Sequence, residues 1–198
     1  MYHWIESIAL TDGVLQHINY HQSRLEYTLK NFSGMVFSLE DVLKEVEGIY
    51  TKGIYKVRVL YGLSGVLDIE VAPYLQRTLN SFQLVEGNTL DYHFKSEQRE
   101  HLNQLKQSSS ADEVIITQHG SLTDTSFSNL IFYKNGEWFT PSTYLLKGTQ
   151  RQYLLDKGII KEDNISVDNL PSFSSFKLIN AMITFESSKT YPIEIIHP

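Results

Sequence analysis

Three tight turns built on glycine, Asp12-Gly13, Gly62-Leu63-Ser64-Gly65 and Asn135-Gly136, punctuate stretches in which apolar and polar residues alternate. Asp-Gly and Asn-Gly pairs accept the positive φ angles of a two-residue hairpin, so these positions commit the flanking stretches to antiparallel pairing. Ile5 to Leu10 faces Val14 to Gln16, Ile54 to Tyr61 faces Val66 to Ala72 with Pro73 ending the strand, and Asn129 to Tyr133 runs into the third turn. Between the first two hairpins the period changes from two residues to nearly four. Asn19-Tyr20-His21-Gln22 reads as a capping box for a helix over Tyr20 to Phe32, with His21, Leu25, Leu29 and Phe32 on one face. Ser38 caps a second helix whose apolar face is Leu39, Val42, Leu43 and Val46. Hairpins joined to amphipathic helices make this an α/β chain of the α+β kind.

The rest of the chain extends that pattern. Tyr74 to Asn88 shows no clear period and reads as an edge strand plus a connection, so a division near Gly87 separates an N-terminal α/β lobe, 1–86, from a C-terminal lobe, 87–198. Leu90 to Lys95 alternates and reads as a strand ending at Lys95, with Ser96 capping a helix that carries Leu102 and Leu105. Val114-Ile115-Ile116 is strand-like, Gly148-Thr149-Gln150-Arg151 opens a short helix that Gly158 closes, and Lys177 to Thr184 reads as a last buried strand.

Composition removes several function classes. At 198 residues and 41% hydrophobic, the chain can bury a real core without staples. Its net charge is −6, from 17 basic and 23 acidic residues, and no basic run is present, which argues against nucleic acid as a partner. With no cysteine there is no disulfide framework, thiolate metal site or cysteine nucleophile, and a cytoplasmic setting is expected. No apolar run nears the ~18 residues of a membrane span, and Glu6 comes too early for a secretory signal. His17 and His21 are four apart but lack a third ligand nearby, so no metal is expected. The chain has no G-x-S-x-G, G-x-x-x-x-G-K or G-x-G-x-x-G.

What remains is a series of motifs in a telling order. Ala111-Asp112-Glu113-Val114-Ile115-Ile116 is followed by Gly120 to Phe132, with Asp124 five residues before Asn129, then by Thr140-Pro141 and by Leu145-Leu146-Lys147-Gly148-Thr149-Gln150-Arg151; near the front stands His21-Gln22-Ser23-Arg24-Leu25. Together these resemble the fold-type IV pyridoxal-phosphate enzymes, the family of branched-chain and D-amino-acid aminotransferases and of 4-amino-4-deoxychorismate lyase. The resemblance spans nearly the whole chain. It implies a two-lobed D-amino-acid aminotransferase-like fold, with a small lobe of sheet plus helices and a barrel-like C-terminal lobe. It also implies pyridoxal 5'-phosphate as cofactor and a homodimer acting on a small-molecule amino substrate. The family pattern carries a further strand and loop ahead of the segment matched by Trp4 to Ile8.

The cofactor's chemistry shows why such residues are needed. A carboxylate against the ring nitrogen keeps the ring an electron sink; the resemblance gives that place to Asp124, where the family usually has glutamate, while the plainer alternative is a loop cap after Thr123. The phosphate dianion suits a helix N-terminus, here Gly148, Thr149 and Gln150. Arg24 is a second phosphate ligand by the resemblance, or else a surface arginine. Ser128 and Asn129 add a hydroxyl and an N–H, or serve only the turn. A cofactor-linking lysine needs rigid backbone and a partly neutral amine. Lys95 at its strand end fits; Lys56, in mid-strand, would share a face with Arg58, Asp68 and Glu70 as plain ion pairs. One departure stands beside this assignment: His101-Leu102-Asn103-Gln104-Leu105 resembles the stretch just after the family's lysine, which would put Glu100 in its place. Either Lys95 is the active amine, or this is a non-catalytic relative binding a phosphate-bearing ligand or a partner. If Lys95 is active, the expected reaction is amino-acid transamination, with 4-amino-4-deoxychorismate lyase activity as the alternative.

Overall fold

The computed structural model describes residues 2–198. They fall into two compact units, one of residues up to Gln76 together with Phe94–Gln98, the other of Arg77–His93 together with Arg99–Pro198. Gly87, where the sequence suggests a division, lies within the Arg77–His93 part of the second unit.

The first unit contains β1 (Trp4–Thr11), β2 (Val14–Leu15), α1 (Ile18–Asn31), α2 (Leu39–Ile49), β3 (Ile54–Gly62) and β4 (Gly65–Pro73). The strands form one antiparallel sheet in the order β2-β1-β3-β4. Asp12 and Gly13 take φ 49° and 83°, the left-handed pair that the first hairpin requires. Both helices pack on one sheet face, where Trp4, Ile8, Val57 and Val59 meet Leu25, Leu29 and Leu43. α1 starts earlier than its apparent capping box: its N-cap is His17, in a left-handed conformation with no side-chain cap. Gln22 is occupied elsewhere, donating to the Phe37 carbonyl at 2.9 Å and accepting from the Leu39 N–H at 2.8 Å, which ties α1 to the start of α2. Ser38 does cap α2, accepting from the Asp41 N–H.

Phe94–Gln98 adds to this unit as an irregular segment along β1. Ile5 N–H donates to the Lys95 carbonyl at 2.9 Å, Ser96 bridges Trp4 antiparallel, and Phe94 stacks on Tyr27 and meets Phe32 edge-on. The expected strand over Leu90 to Lys95 is therefore absent. Its alternation has another cause: Leu90 and Tyr92 are buried in a core of the second unit, and half-buried Phe94 packs against the core of the first. Ser96 is likewise not a helix cap, since its hydroxyl accepts from the Gln98 N–H within a turn.

The second unit contains β5 (Phe82–Glu86), α3 (Glu100–Gln107), β6 (Glu113–Gln118), β7 (Ser121–Thr125), β8 (Asn129–Lys134), β9 (Glu137–Pro141), α4 (Thr149–Asp156), β10 (Lys161–Asp163), β11 (Ser175–Ile179), β12 (Thr190–Pro192) and β13 (Ile196–His197). Strand pairing runs β10-β9-β8-β7-β6-β5-β13, and β11 pairs with both β8 and β12. β5 is not an edge strand, because it lies in parallel between β6 and β13. The final strand is shorter than its apolar run: β11 stops at Ile179, where the Asn180 side chain accepts from the Met182 and Ile183 N–H groups and turns the chain. Aromatic packing of Phe82, Phe132, Phe176 and Tyr191 fills the core beneath these strands. Among the described residues no helix is long and apolar enough to cross a membrane.

Leu25 is fully buried where α1 meets its sheet. Leu25→Ala should cost about 2–5 kcal/mol through lost burial and the cavity left behind, read as a lower urea midpoint at an unchanged m-value.

Candidate active site

Along β1, Trp4, Glu6, Ile8 and Leu10 point to the helix-covered face, so an acid stands in the middle of an apolar row. Glu6 is fully buried. It is held by two residues one turn apart on α1: Arg24 Nε donates to Oε1 at 2.9 Å, Arg24 Nη2 donates to Oε2 at 2.5 Å, and His21 Nδ1 lies 2.6 Å from Oε2. The His-x-x-Arg-Leu spacing thus has a local meaning, in which His21, Arg24 and Leu25 share the face that meets β1. Burial alone would raise the Glu6 carboxyl; the Arg24 charge and the hydrogen bonds from His21 and Arg24 prevail and hold it at about 2. Burial lowers His21 more than its bond to Glu6 raises it, so a neutral imidazole donates from Nδ1 to the carboxylate. Although the two groups are close enough for an ion pair, the burial of the ring decides for this neutral hydrogen bond.

Lys95 belongs to the same neighbourhood. It is half-buried on the segment paired with Ile5, and its charge is among those that lower His21. Glu100 is the exposed first residue of α3, in the second unit. Lys56 and Arg58 fall on the other face of the sheet, where Arg58 lies 3.5 Å from Glu70 and 3.1 Å from Glu97.

The second unit carries the other expected residues. The left-handed pair His119-Gly120 turns β6 into β7, and β7 brings in Asp124 opposite Asn129 on β8. Asp124 is buried and accepts three hydrogen bonds: from Asn129 Nδ2 at 2.7 Å on Oδ1, and from the Leu145 and Leu146 N–H groups at 3.1 and 2.9 Å on Oδ2. Burial raises its carboxyl to about 6 against the pull of these donors and of Arg151. Asn129 Nδ2 also donates to the Leu146 carbonyl, so the two side chains clamp the segment that leads into α4. That segment approaches so closely that a Cβ on Gly148 would meet Asn129 Oδ1 at 1.8 Å.

Gly148 is the N-cap of α4, with no side chain capping the helix start. Thr149, Gln150 and Arg151 in its first turn are buried, and Gln150 Oε1 has no hydrogen-bond partner among the described residues. Arg151 explains the Thr-Pro pair upstream, because it donates to Thr140 Oγ1, the Pro141 carbonyl and Glu162 and stacks on Tyr144. Ser128 is engaged within its turn, its hydroxyl 2.8 Å from Thr125 Oγ1.

Within their own units, then, Arg24 and Lys95 share one charge cluster, and Asp124, Asn129 and Gly148 form one bonded group. Sequence reasoning passed over Glu6 and gave His21 no role. The available signal was an acid at an inward position of an otherwise apolar strand face.

A model of the amino-transferase class IV family matches residues 4–185. The chain is 33% identical over 187 residues to an uncharacterized protein of Haemophilus influenzae, covering 92% of this chain and 98% of that one. A stretch of 81 residues is 38% identical to a proposed aminodeoxychorismate lyase of Schizosaccharomyces pombe, over 38% of this chain and 35% of that one. The crystal structure of a proposed 4-amino-4-deoxychorismate lyase from Haemophilus somnus 129PT superposes with a TM-score of 0.88 at 31% identity, covering 93% of this chain and 98% of that one.

Gly148→Ala should displace the Asn129 amide and cost about 2 kcal/mol or more in urea denaturation. The Glu6 carboxyl, at about 2 in the folded chain against an ordinary 4.5, contributes stability that is complete above pH 4.5 and is lost as pH falls toward 2. The shift corresponds to roughly 3 kcal/mol, so between pH 7 and pH 3 the wild type should lose more unfolding free energy than Glu6→Gln.

Proposed function

This chain belongs to the class IV aminotransferases, the fold-type IV enzymes, and on that premise we propose that it uses pyridoxal 5'-phosphate to act at the amine-bearing carbon of a small amino substrate. The family depends on this cofactor in general. When bound, pyridoxal phosphate supplies an electron sink that weakens the bonds at that carbon.

The chain's own residues suit such a group. Asp124 is the observation that carries the reading: a buried carboxylate with roughly four acceptor positions, three of them filled by Asn129, Leu145 and Leu146, retains one for a ring N–H. Asp124 is one carbon shorter than the glutamate usual at this place, and its anchoring by two backbone N–H groups fixes where that last position points. The start of α4 at Gly148, Thr149 and Gln150 offers helix N–H groups and a favourable dipole to a phosphate, and Arg24 adds a guanidinium. The orphaned Gln150 amide oxygen is an acceptor, which suits a donor group of the amino substrate and not the phosphate. Ser128 and Asn129 support the loop that presents Asp124.

Lys95 is the proposed cofactor-linking amine and the base whose Nζ takes the proton from the amine-bearing carbon. The fate of that proton divides the two reactions: Lys95 would pass it to the departing enolpyruvate in a lyase, and would return it with no group expelled from the substrate in transamination. The relatives at 31% identity over nearly the whole chain and at 38% over part of it are proposed lyases, which supports release of pyruvate and 4-aminobenzoate from 4-amino-4-deoxychorismate. Transamination, the activity that names the family, is the second reading. A cytoplasmic homodimer, without nucleic-acid or membrane partners, completes the proposal.

Borohydride reduction of protein loaded with pyridoxal phosphate, followed by peptide mapping, should place the label on Lys95, and Lys95→Ala should take none; a label on another lysine would reject the assignment. Formation of 4-aminobenzoate from aminodeoxychorismate without an oxo-acid acceptor should then be observed, and its absence alongside amino transfer to an oxo acid would favour the second reading.

A further inference from the structure

Glu6 has no part in the chemistry above, yet its environment is costly to build. A carboxylate wholly out of water, in a row of Trp4, Ile8 and Leu10, is tolerated only with strong donors, and an apolar residue would serve packing alone at less cost. Its donors are not scattered. Arg24 offers the whole Nε–Nη2 edge of its guanidinium, one N–H to each carboxylate oxygen, and His21 holds Oε2 from the same helix turn. A two-pronged pair of this kind fixes the plane and direction of the guanidinium, which a single contact cannot do. The Nη1 side of Arg24 lies outside the pair and takes its direction from it. Glu6 also sets a negative charge against Arg24, and the charges of Arg24 and Lys95 both act on His21.

We propose that Glu6 is a positioning residue, which presets the Arg24 guanidinium for the phosphate of the bound cofactor, with His21 steadying the carboxylate. The inference rests on the reading of Arg24 as a phosphate ligand and adds to it the residue that makes that ligand rigid. A purely structural Glu6 would alter stability without altering the preference for a phosphorylated ligand.

The test compares binding of pyridoxal phosphate with binding of pyridoxal, which lacks the phosphate, by fluorescence titration of the wild type and Glu6→Gln. Glu6→Gln should bind pyridoxal phosphate about tenfold or more weakly while its pyridoxal affinity changes less than about twofold, because only the phosphate contact loses its preset geometry. In an Arg24→Ala background the same substitution should have no further effect on that ratio. An unchanged ratio in a folded Glu6→Gln protein, or an equal loss for both ligands, overturns the proposal. If Glu6→Gln does not fold, Glu6→Asp reads the same property, since it keeps the charge on a stem one carbon too short for the two-pronged pair: a wild-type ratio there overturns the proposal, and a loss of about tenfold supports it. A wild type that does not prefer pyridoxal phosphate over pyridoxal would instead reject the cofactor reading itself, and the inference with it.

Discussion

A carboxylate leaves water only when donors fill its oxygens, and each unit of this protein is arranged around one that has done so. In the first unit Glu6 draws His21 and Arg24 onto the inner face of α1, and the helix, sheet and Lys95-bearing segment meet around that cluster. In the second, Asp124 gathers Asn129 and the Leu145–Leu146 backbone, which sets the entry into α4. The two acids differ in outcome because their donors differ. A guanidinium charge holds Glu6 near 2, whereas neutral amides leave Asp124, despite three hydrogen bonds, near 6.

That contrast suits different duties. A permanently ionised Glu6 is a fixed counter-charge, suited to orienting a cation. An Asp124 whose ionised form burial makes costly gains from any positively polarised N–H brought to its remaining acceptor position. Gly148 is part of the same arrangement: the Asn129 amide that supports Asp124 occupies the space a side chain would need at the helix start, so the acid and the start of α4 are built against one another.

Most of the architecture was legible in local chemistry. Asp12-Gly13 and Asn135-Gly136 marked their hairpins because their left-handed angles are required by the turns themselves, and Ser38 marked its helix because a cap is a contact three residues away. Where reading failed, a distant partner decided. Gln22 was claimed by the Phe37–Leu39 backbone instead of its own helix start, and Leu90 to Phe94 alternated because two cores share it, not because a sheet does. The family motifs set Arg24, Asp124, Asn129 and Gly148 in order, but not the bonds that Asp124 and Asn129 make. The partnership of Glu6 with Arg24 spans 18 residues and two element types, so no local pattern announces it. Glu100, aligned by motif with the family's lysine, lies exposed on α3, while Lys95 shares the charge cluster of Arg24; that neighbourhood, more than strand position, supports Lys95 as the amine.

The central claim is the proposed binding of pyridoxal phosphate through Lys95, Asp124 and the start of α4. A crystal structure of the protein grown with the cofactor tests it most directly. The expected result is continuous density from Lys95 Nζ to the ring, the Asp124 carboxylate on the ring nitrogen, and the phosphate at the start of α4 within reach of Arg24. A ring joined to a different lysine, or a phosphate bound away from Gly148 and Arg24, would contradict it.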